Sequence, residues 1–266
     1  MASFSVVTNI SAVNAQANLY TTNIGLRQAL TRVSSGFRIN SSGDDAAGLA
    51  VANGYRSKVA VLTQGIRNAN DGLSVLQIKD GALDNISKLF DRLSTLATQA
   101  ASPSFQGSLS TLNAEYLDVL AEIDRESAVA KLDAAGTFTV FVSADGANGT
   151  VGGSIGAVTT TALGLGGTSL SSAANAATAL TAISAAIDTL GGVQGQVGQI
   201  ENRLQYAISL AQSQSVNTKA AESRIRDANI AEESSNLTRY SILNQSGLAA
   251  LAQANQSTAA VLALLQ

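Results

Sequence analysis

The sequence predicts a mainly α fold, a long antiparallel helical bundle with paired N- and C-terminal coiled-coil helices and a small β/turn insertion near the middle. Three observations lead there. Apolar residues recur at spacings of three and four over long stretches, including both ends of the chain. A single proline, Pro103, stands in 266 residues, so long helices are spared their strongest breaker. Between about residues 130 and 175 that periodicity gives way to a short alternation and then to Gly, Ser and Thr.

Taken in order, Val6, Ile10, Val13, Ala17, Tyr20 and Ile24 are spaced four and three apart, and Leu26, Leu30, Val33 and Phe37 repeat the spacing on an adjacent face. Such a stripe is the apolar side of a helix that needs something to pack against. A partner is available at the far end, where Ile230, Leu237 and Leu251 share a seven-residue repeat and Val261, Leu262, Leu264 and Leu265 close the chain. Termini are normally the frayed part of a domain, yet these are strongly patterned.

From Leu62 the series Ile66, Ala69, Leu73, Leu76, Leu83, Phe90, Leu93, Ala97 and Ala100 predicts a helix ending near Pro103, with Asp80 as a polar interruption. Leu109, Leu112, Tyr116, Val119 and Ile123 predict a second, returning antiparallel to it. FTVFVS then alternates like a strand, and ADGANGTVGGSIG with TTTALGLGGTSLSS reads as a small strand-and-turn insertion or, equally, as flexible linker in its glycine-rich portion. Ile183, Ile187, Leu190, Val193, Val197, Ile200, Leu204, Ala207 and Ala211 return to helical spacing. A chain that goes out and comes back in this way brings its two ends together.

The composition excludes several classes of function. Charged residues are 13% and the net charge is −3, so no basic field exists to hold a nucleic acid or an anionic bilayer. Cysteine and histidine are absent, which removes disulfides, thiolate nucleophiles, imidazole bases and the common zinc and haem ligands together. No cofactor and no metal are expected. No run of about 20 apolar residues argues for a membrane span, and the first cation is Arg27, so a cleaved secretory signal is not expected.

Asp44 and Asp45 in SSGDDAAGLA read best as helix-start chemistry, with Ser41, Ser42 or Asp44 as the cap. Gly164, Gly166 and Gly167 lack the Lys-Ser or Lys-Thr pair of a phosphate loop. With no convergent nucleophile, base or ligand cluster, an enzyme is not expected. The polar faces of both ends are rich in Asn, Gln, Ser and Thr, which suits close helix packing. These ends are expected to order only when neighbouring copies supply the missing surface to bury.

The stretch VSSGFRINSSGDDAAGLAVANGYRS, followed by GIRNANDGLSVLQIKDGALDNI, closely resembles the amino-terminal half of bacterial flagellin. ENRLQYAI and ESRIRDANIAEESSNLTRYSILNQSGLAALAQANQSTAAVLALLQ resemble its other half. The resemblance implies a filament subunit, with 1–43 and 230–266 as the helices of an inner filament core, 44–129 and 178–229 as the helices of an outer-tube bundle, and 130–177 as the insertion. Only about 50 residues stand where many flagellins carry large outer domains, so a short form is expected.

It further implies self-assembly through Val6, Ile10, Val13, Ile24, Leu26, Leu30, Val33, Leu237, Leu251, Leu262 and Leu265, with Arg38, Asp44 and Asp45 packing between subunits. The family's partners are further copies, an export chaperone, a filament cap protein and hook-filament junction proteins, and its export route uses no cleaved signal. The product is an extracellular filament. LFDRLSTLATQAA sits where many flagellins present an epitope to the host's Toll-like receptor 5; Arg92, Leu93, Leu96 and Gln99 correspond to that motif and Glu115 to its partner on the next helix, while Asp91 and Thr95 depart from it. The alternative within the same relations is a hook-filament junction protein.

Overall fold

The structure, a computed structural model, describes residues 8–144 and 146–263. The elements are α1 (Ile10–Ser35), α2 (Ala46–Ala101), α3 (Leu109–Val129), β1 (Gly136–Phe141), a 3-10 turn (Gly146–Gly149), β2 (Thr150–Ile155), α4 (Ala173–Arg226) and α5 (Ile230–Ala263). The chain divides into a terminal unit, Met1–Ser57 with Asn217–Gln266, and a bundle unit, Lys58–Val216.

In the bundle unit the heptads do what their spacing predicts. Leu62, Ala69, Leu76, Leu83, Phe90 and Ala97 of α2 are seven apart and buried, and Ala176, Ile183, Leu190, Val197 and Leu204 of α4 repeat the same interval. Tyr116, Leu120 and Ile123 of α3 complete the core. Antiparallel pairing of α2 with α3 is fixed by Arg92 with Glu115 and by Asn85 Nδ2 donating to Glu126 Oε1 at 3.3 Å. At the end of α3, Lys79 Nζ donates to the carbonyls of Ala130 (2.9 Å) and Lys131 (2.6 Å), a cation on a helix C-terminus. Burial, then the charge of Lys131, lowers its pKa.

The insertion is ordered and packed. β1 and β2 form an antiparallel hairpin with Gly136 opposite Ile155 and Phe141 opposite Thr150. Val140, Val142 and Ile155 enter the core. The hairpin lies so close on α2 that a Cβ at Gly65 would stand 1.7 Å from the Val142 carbonyl oxygen. Carbonyls of both strands are bound from the helices: Asn68 Nδ2 donates to Phe141 O (3.2 Å) and Arg203 to Gly152 O (2.6 Å).

The glycine-rich segment that follows is held by α3 rather than left as linker. Asp124 accepts from both the backbone N–H and the hydroxyl of Thr160, each at 2.7 Å, Asn113 accepts from Leu170 N (2.7 Å), and Tyr116 hydrogen-bonds Thr168. Val158, Leu165 and Leu170 are fully buried beneath it.

Candidate assembly surface

The terminal unit is built on α1 running antiparallel to α5. Asn9, the N-cap of α1, accepts from Ala12 N and donates to the carbonyl of Ala254 (2.8 Å). Farther along, Leu19 faces Gly247, Asn244 Nδ2 donates to Asn23 Oδ1 (2.9 Å), Gly25 faces the Tyr240 ring, and Arg32 pairs with Glu233 (3.0 Å). Each step up α1 meets a matching step down α5, so one register holds along the pair.

The pair ends in a latch. α1 stops at Gly36, whose φ of +74° needs a residue without a Cβ. Phe37 and Asp227 then form a β-bridge, Ala228 N donates to Gly36 O (2.9 Å), and the Arg226 guanidinium lies 4.1 Å over the Phe37 ring. Phe37 therefore lies beyond the helical stripe in which its spacing placed it.

The side of α1 facing α5 differs from the expectation that the opening stripe pairs with the chain's own C-terminus. Leu19 and Ala29 are buried, and Leu26 and Val33 are half-buried. Ile10 is 62% and Tyr20 70% exposed, and Val13, Ile24 and Leu30 are exposed with them. The physical reason is the seam's small residues: Gly25 leaves room for the Tyr240 ring and Gly247 for the Leu19 side chain, so α5 is met by a narrow face and the wide apolar stripe is left outside. On α5, Leu237 and Leu251 are half-buried. Leu262 lies in α5, but its side chain is outside the description, and Val6 and Leu265 lie outside the described residues.

Arg38, Asp44 and Asp45 all have bonds within the chain. The Arg38 guanidinium donates to Ile225 O (2.8 Å). Asp44 accepts from the backbone N–H groups of Ser41 (3.0 Å) and Asn40 (3.1 Å), the bonds that lower its pKa most. Asp45 Oδ1 accepts from Gly48 N at 2.8 Å, so Asp45, rather than Ser41, Ser42 or Asp44, caps α2.

In the bundle unit Arg92, Gln99 and Glu115 reach the surface, and the first and last are joined by an ion pair. Leu93 and Leu96 do not join them. Both are buried on the core side of α2, because the period that brings Arg92 and Gln99 outward turns these two inward. The sequence reading missed the Arg32–Glu233 pair, the Asn23–Asn244 bond and the Arg226–Phe37 stack. Only the charges stood out in the sequence, with nothing to match them across about 200 residues.

Long heptad helices, a small packed hairpin and an uncovered apolar side on the terminal pair define a helical self-assembly subunit. Residues 6–133 match the bacterial flagellin N-terminal helical region and residues 180–265 the bacterial flagellin C-terminal helical region. The chain belongs to the bacterial flagellin family. It is 32% identical to flagellin FlaB1 of Treponema pallidum (strain Nichols) and 33% identical to the flagellar filament 33 kDa core protein of Treponema phagedenis. It is 34% identical to a flagellin of Halalkalibacterium halodurans. Each match covers 97% of this chain and 98% of the relative, so this is a short form, matched nearly end to end. The crystal structure of Bacillus cereus flagellin is 28% identical, with a TM-score of 0.47 over 59% of this chain and 94% of that one.

Proposed function

We infer that this chain is the structural subunit of a bacterial flagellar filament, a motility polymer outside the cell. The observation that carries the reading is the near end-to-end match to proteins named as flagellins and filament core proteins. The uncovered side of α1 supports it, since an apolar stripe of this length is an interaction surface. The relatives' names favour the filament itself over a hook-filament junction protein.

The work of the protein is assembly, not catalysis. Copies pack through the exposed residues of α1, with Leu237 and Leu251 consolidating the pair beneath them. Export without a cleaved signal, through the growing filament, and partnership with an export chaperone, a filament cap and junction proteins follow from the family resemblance. Recognition by Toll-like receptor 5, if the host uses this chain, engages Arg92, Gln99 and Glu115, with Leu93 and Leu96 shaping the face from inside. Purified monomer added to sheared filaments of the same protein tests the reading. Elongation into long filaments is expected, and addition of only a terminal layer overturns it in favour of a junction protein.

A further inference from the structure

We propose that the pair Asn148 and Gly149, at the turn of the β1–β2 hairpin, is a site of spontaneous covalent modification, where the asparagine loses ammonia through a cyclic imide and becomes aspartate or isoaspartate. The inference stands on the hairpin alone and does not depend on the filament reading. In this chemistry the backbone nitrogen of the following residue attacks the asparagine side chain, and the ring closes readily when that residue has no Cβ in the way. Asn-Gly occurs twice in the chain, at Asn53 with Gly54 and at Asn148 with Gly149, and Asn-Ser, next in reactivity, occurs at Asn40 with Ser41.

The structure separates these three pairs. Asn53 and Gly54 lie within α2, where a helix interior holds each backbone N–H in its ladder. Asn40 and Ser41 both donate their backbone N–H to Asp44 Oδ2, at 3.1 and 3.0 Å, so the attacking nitrogen is engaged. Asn148 is exposed in the four-residue 3-10 turn Gly146–Gly149, and such a turn has poorer hydrogen bonds than an α-helix and opens at lower cost. The hairpin also forces glycine on the next position. Gly149 is buried, its carbonyl accepts from Val142 N (2.8 Å) and Ser143 N (3.1 Å), and a Cβ on it would stand 2.1 Å from the Ser143 carbonyl oxygen. The residue that closes the hairpin is therefore the one that permits the imide.

Water is the only co-reactant. The Gly149 nitrogen loses its proton to hydroxide and bonds to Asn148 Cγ; the Cγ–Nδ2 bond breaks and ammonia leaves with a proton from water. Water then opens the ring. Cleavage of the new Cγ–N bond leaves aspartate, and cleavage of the original peptide C–N bond leaves isoaspartate, with the chain running through Cγ. Either product adds one negative charge to a net charge of −3. Isoaspartate also inserts a methylene before Gly149, whose carbonyl ties the turn to Val142 and Ser143.

Full-length protein is incubated at mildly alkaline pH, folded and in parallel unfolded in guanidinium chloride, and followed by mass-spectrometric peptide mapping and by labelling with an isoaspartyl methyltransferase. In the unfolded chain Asn53 and Asn148 are both expected to convert. In the folded chain Asn148 is expected to convert on the order of tenfold or more faster than Asn53 or Asn40. Asn148→Gln, whose ring would be larger and slow to close, should lose the methyl label. Equal rates at Asn148 and Asn53 in the folded chain would overturn the proposal, and so would an Asn148 that stays intact there or a label that survives Asn148→Gln. Circular dichroism shows whether the variant keeps its helices, and mapping of the natural chain decides the matter where it does not.

Discussion

Arg32 of α1 and Glu233 of α5 form an ion pair at 3.0 Å with only 25% and 11% of their side chains exposed, and it sits beside the latch that ends the terminal pair. Glu233 also lies in the first turn of α5, where the helix dipole favours a carboxylate. Taking away one partner leaves a mostly buried charge, which costs more than an exposed pair would. Glu233→Gln is expected to lower the heat stability of assembled filaments. A double-mutant cycle with Arg32→Gln should give a coupling of about 1–3 kcal/mol. Additive single effects in that cycle would show the pair to be energetically idle.

Glu201 and Glu122 give the bundle unit pH dependences of opposite sign: bonds from Arg125 lower the pKa of Glu122, whereas that of Glu201 is raised. Burial, then the neighbouring charge of Asp80, raises the pKa of Glu201 above the ordinary 4.5, and its Oε1 is buried without a hydrogen-bond partner. The folded state thus holds this proton more tightly than the unfolded chain does. Its penalty on stability is complete above the folded pKa and is relieved as the pH falls through that value towards 4.5. Below that window the lowered carboxyl of Asp44 acts in the opposite sense, since its stabilising bonds are lost on protonation. Urea unfolding should show stability rising on mild acidification from neutrality, and Asp80→Asn should reduce that rise. An unchanged slope in Asp80→Asn would remove the carboxylate neighbour as a cause.

The heptads of α2 and α4 were legible in the sequence because apolar residues recur there over many turns, and burial follows the seven-residue interval from Leu62 to Ala97. In α1 the spacing of the stripe was equally legible, but its direction was not. Three-and-four spacing marks an apolar face without saying what covers it, and the seam with α5 is built from Leu19, Ala29 and two glycines that no hydrophobic pattern highlights. TVGGSI hid its strand because two of its six residues are glycine, leaving Val151 and Ile155 as the only large side chains to show alternation. The packing of the following segment depends on Asn113, Tyr116 and Asp124, which reach it from 36 to 57 residues away. Leu93 and Leu96 show the converse case, in which a sequence motif gathers neighbours that a helix then sends to opposite sides.

Two glycines of α2 give opposite predictions for one substitution. Replacing glycine by alanine in a helix interior normally stabilises by about 0.5–1 kcal/mol. At Gly81 nothing stands within 4 Å of the new Cβ, so Gly81→Ala should show that gain. At Gly65 the Cβ would stand 1.7 Å from the Val142 carbonyl oxygen, and backbone cannot rotate away as a side chain can. The hairpin must lift, at a cost of about 1–3 kcal/mol that outweighs the propensity gain. Gly65→Ala should therefore lower the urea midpoint and expose the hairpin to limited proteolysis. Equal midpoints for the two variants would contradict the close approach.

Leu251 tests whether the α1–α5 pair is required for assembly. Its side chain is half-buried in a stretch of α5 with no Asp, Glu, Lys, Arg or His after Arg239, so a carboxylate there finds no cation on its own helix beyond that point. Leu251→Asp places an unpaired charge against apolar neighbours, costing several kcal/mol unless α5 swings it into water. Either response spoils the register with α1 and the surfaces copies use to meet. The bundle core, formed from Leu62 to Ala211, contains no residue of α5 and should keep its helicity. Seeded growth is expected to stop while circular dichroism falls only by the contribution of the terminal helices. Wild-type filament yield from Leu251→Asp would show that polymerisation does not depend on this part of the terminal pair.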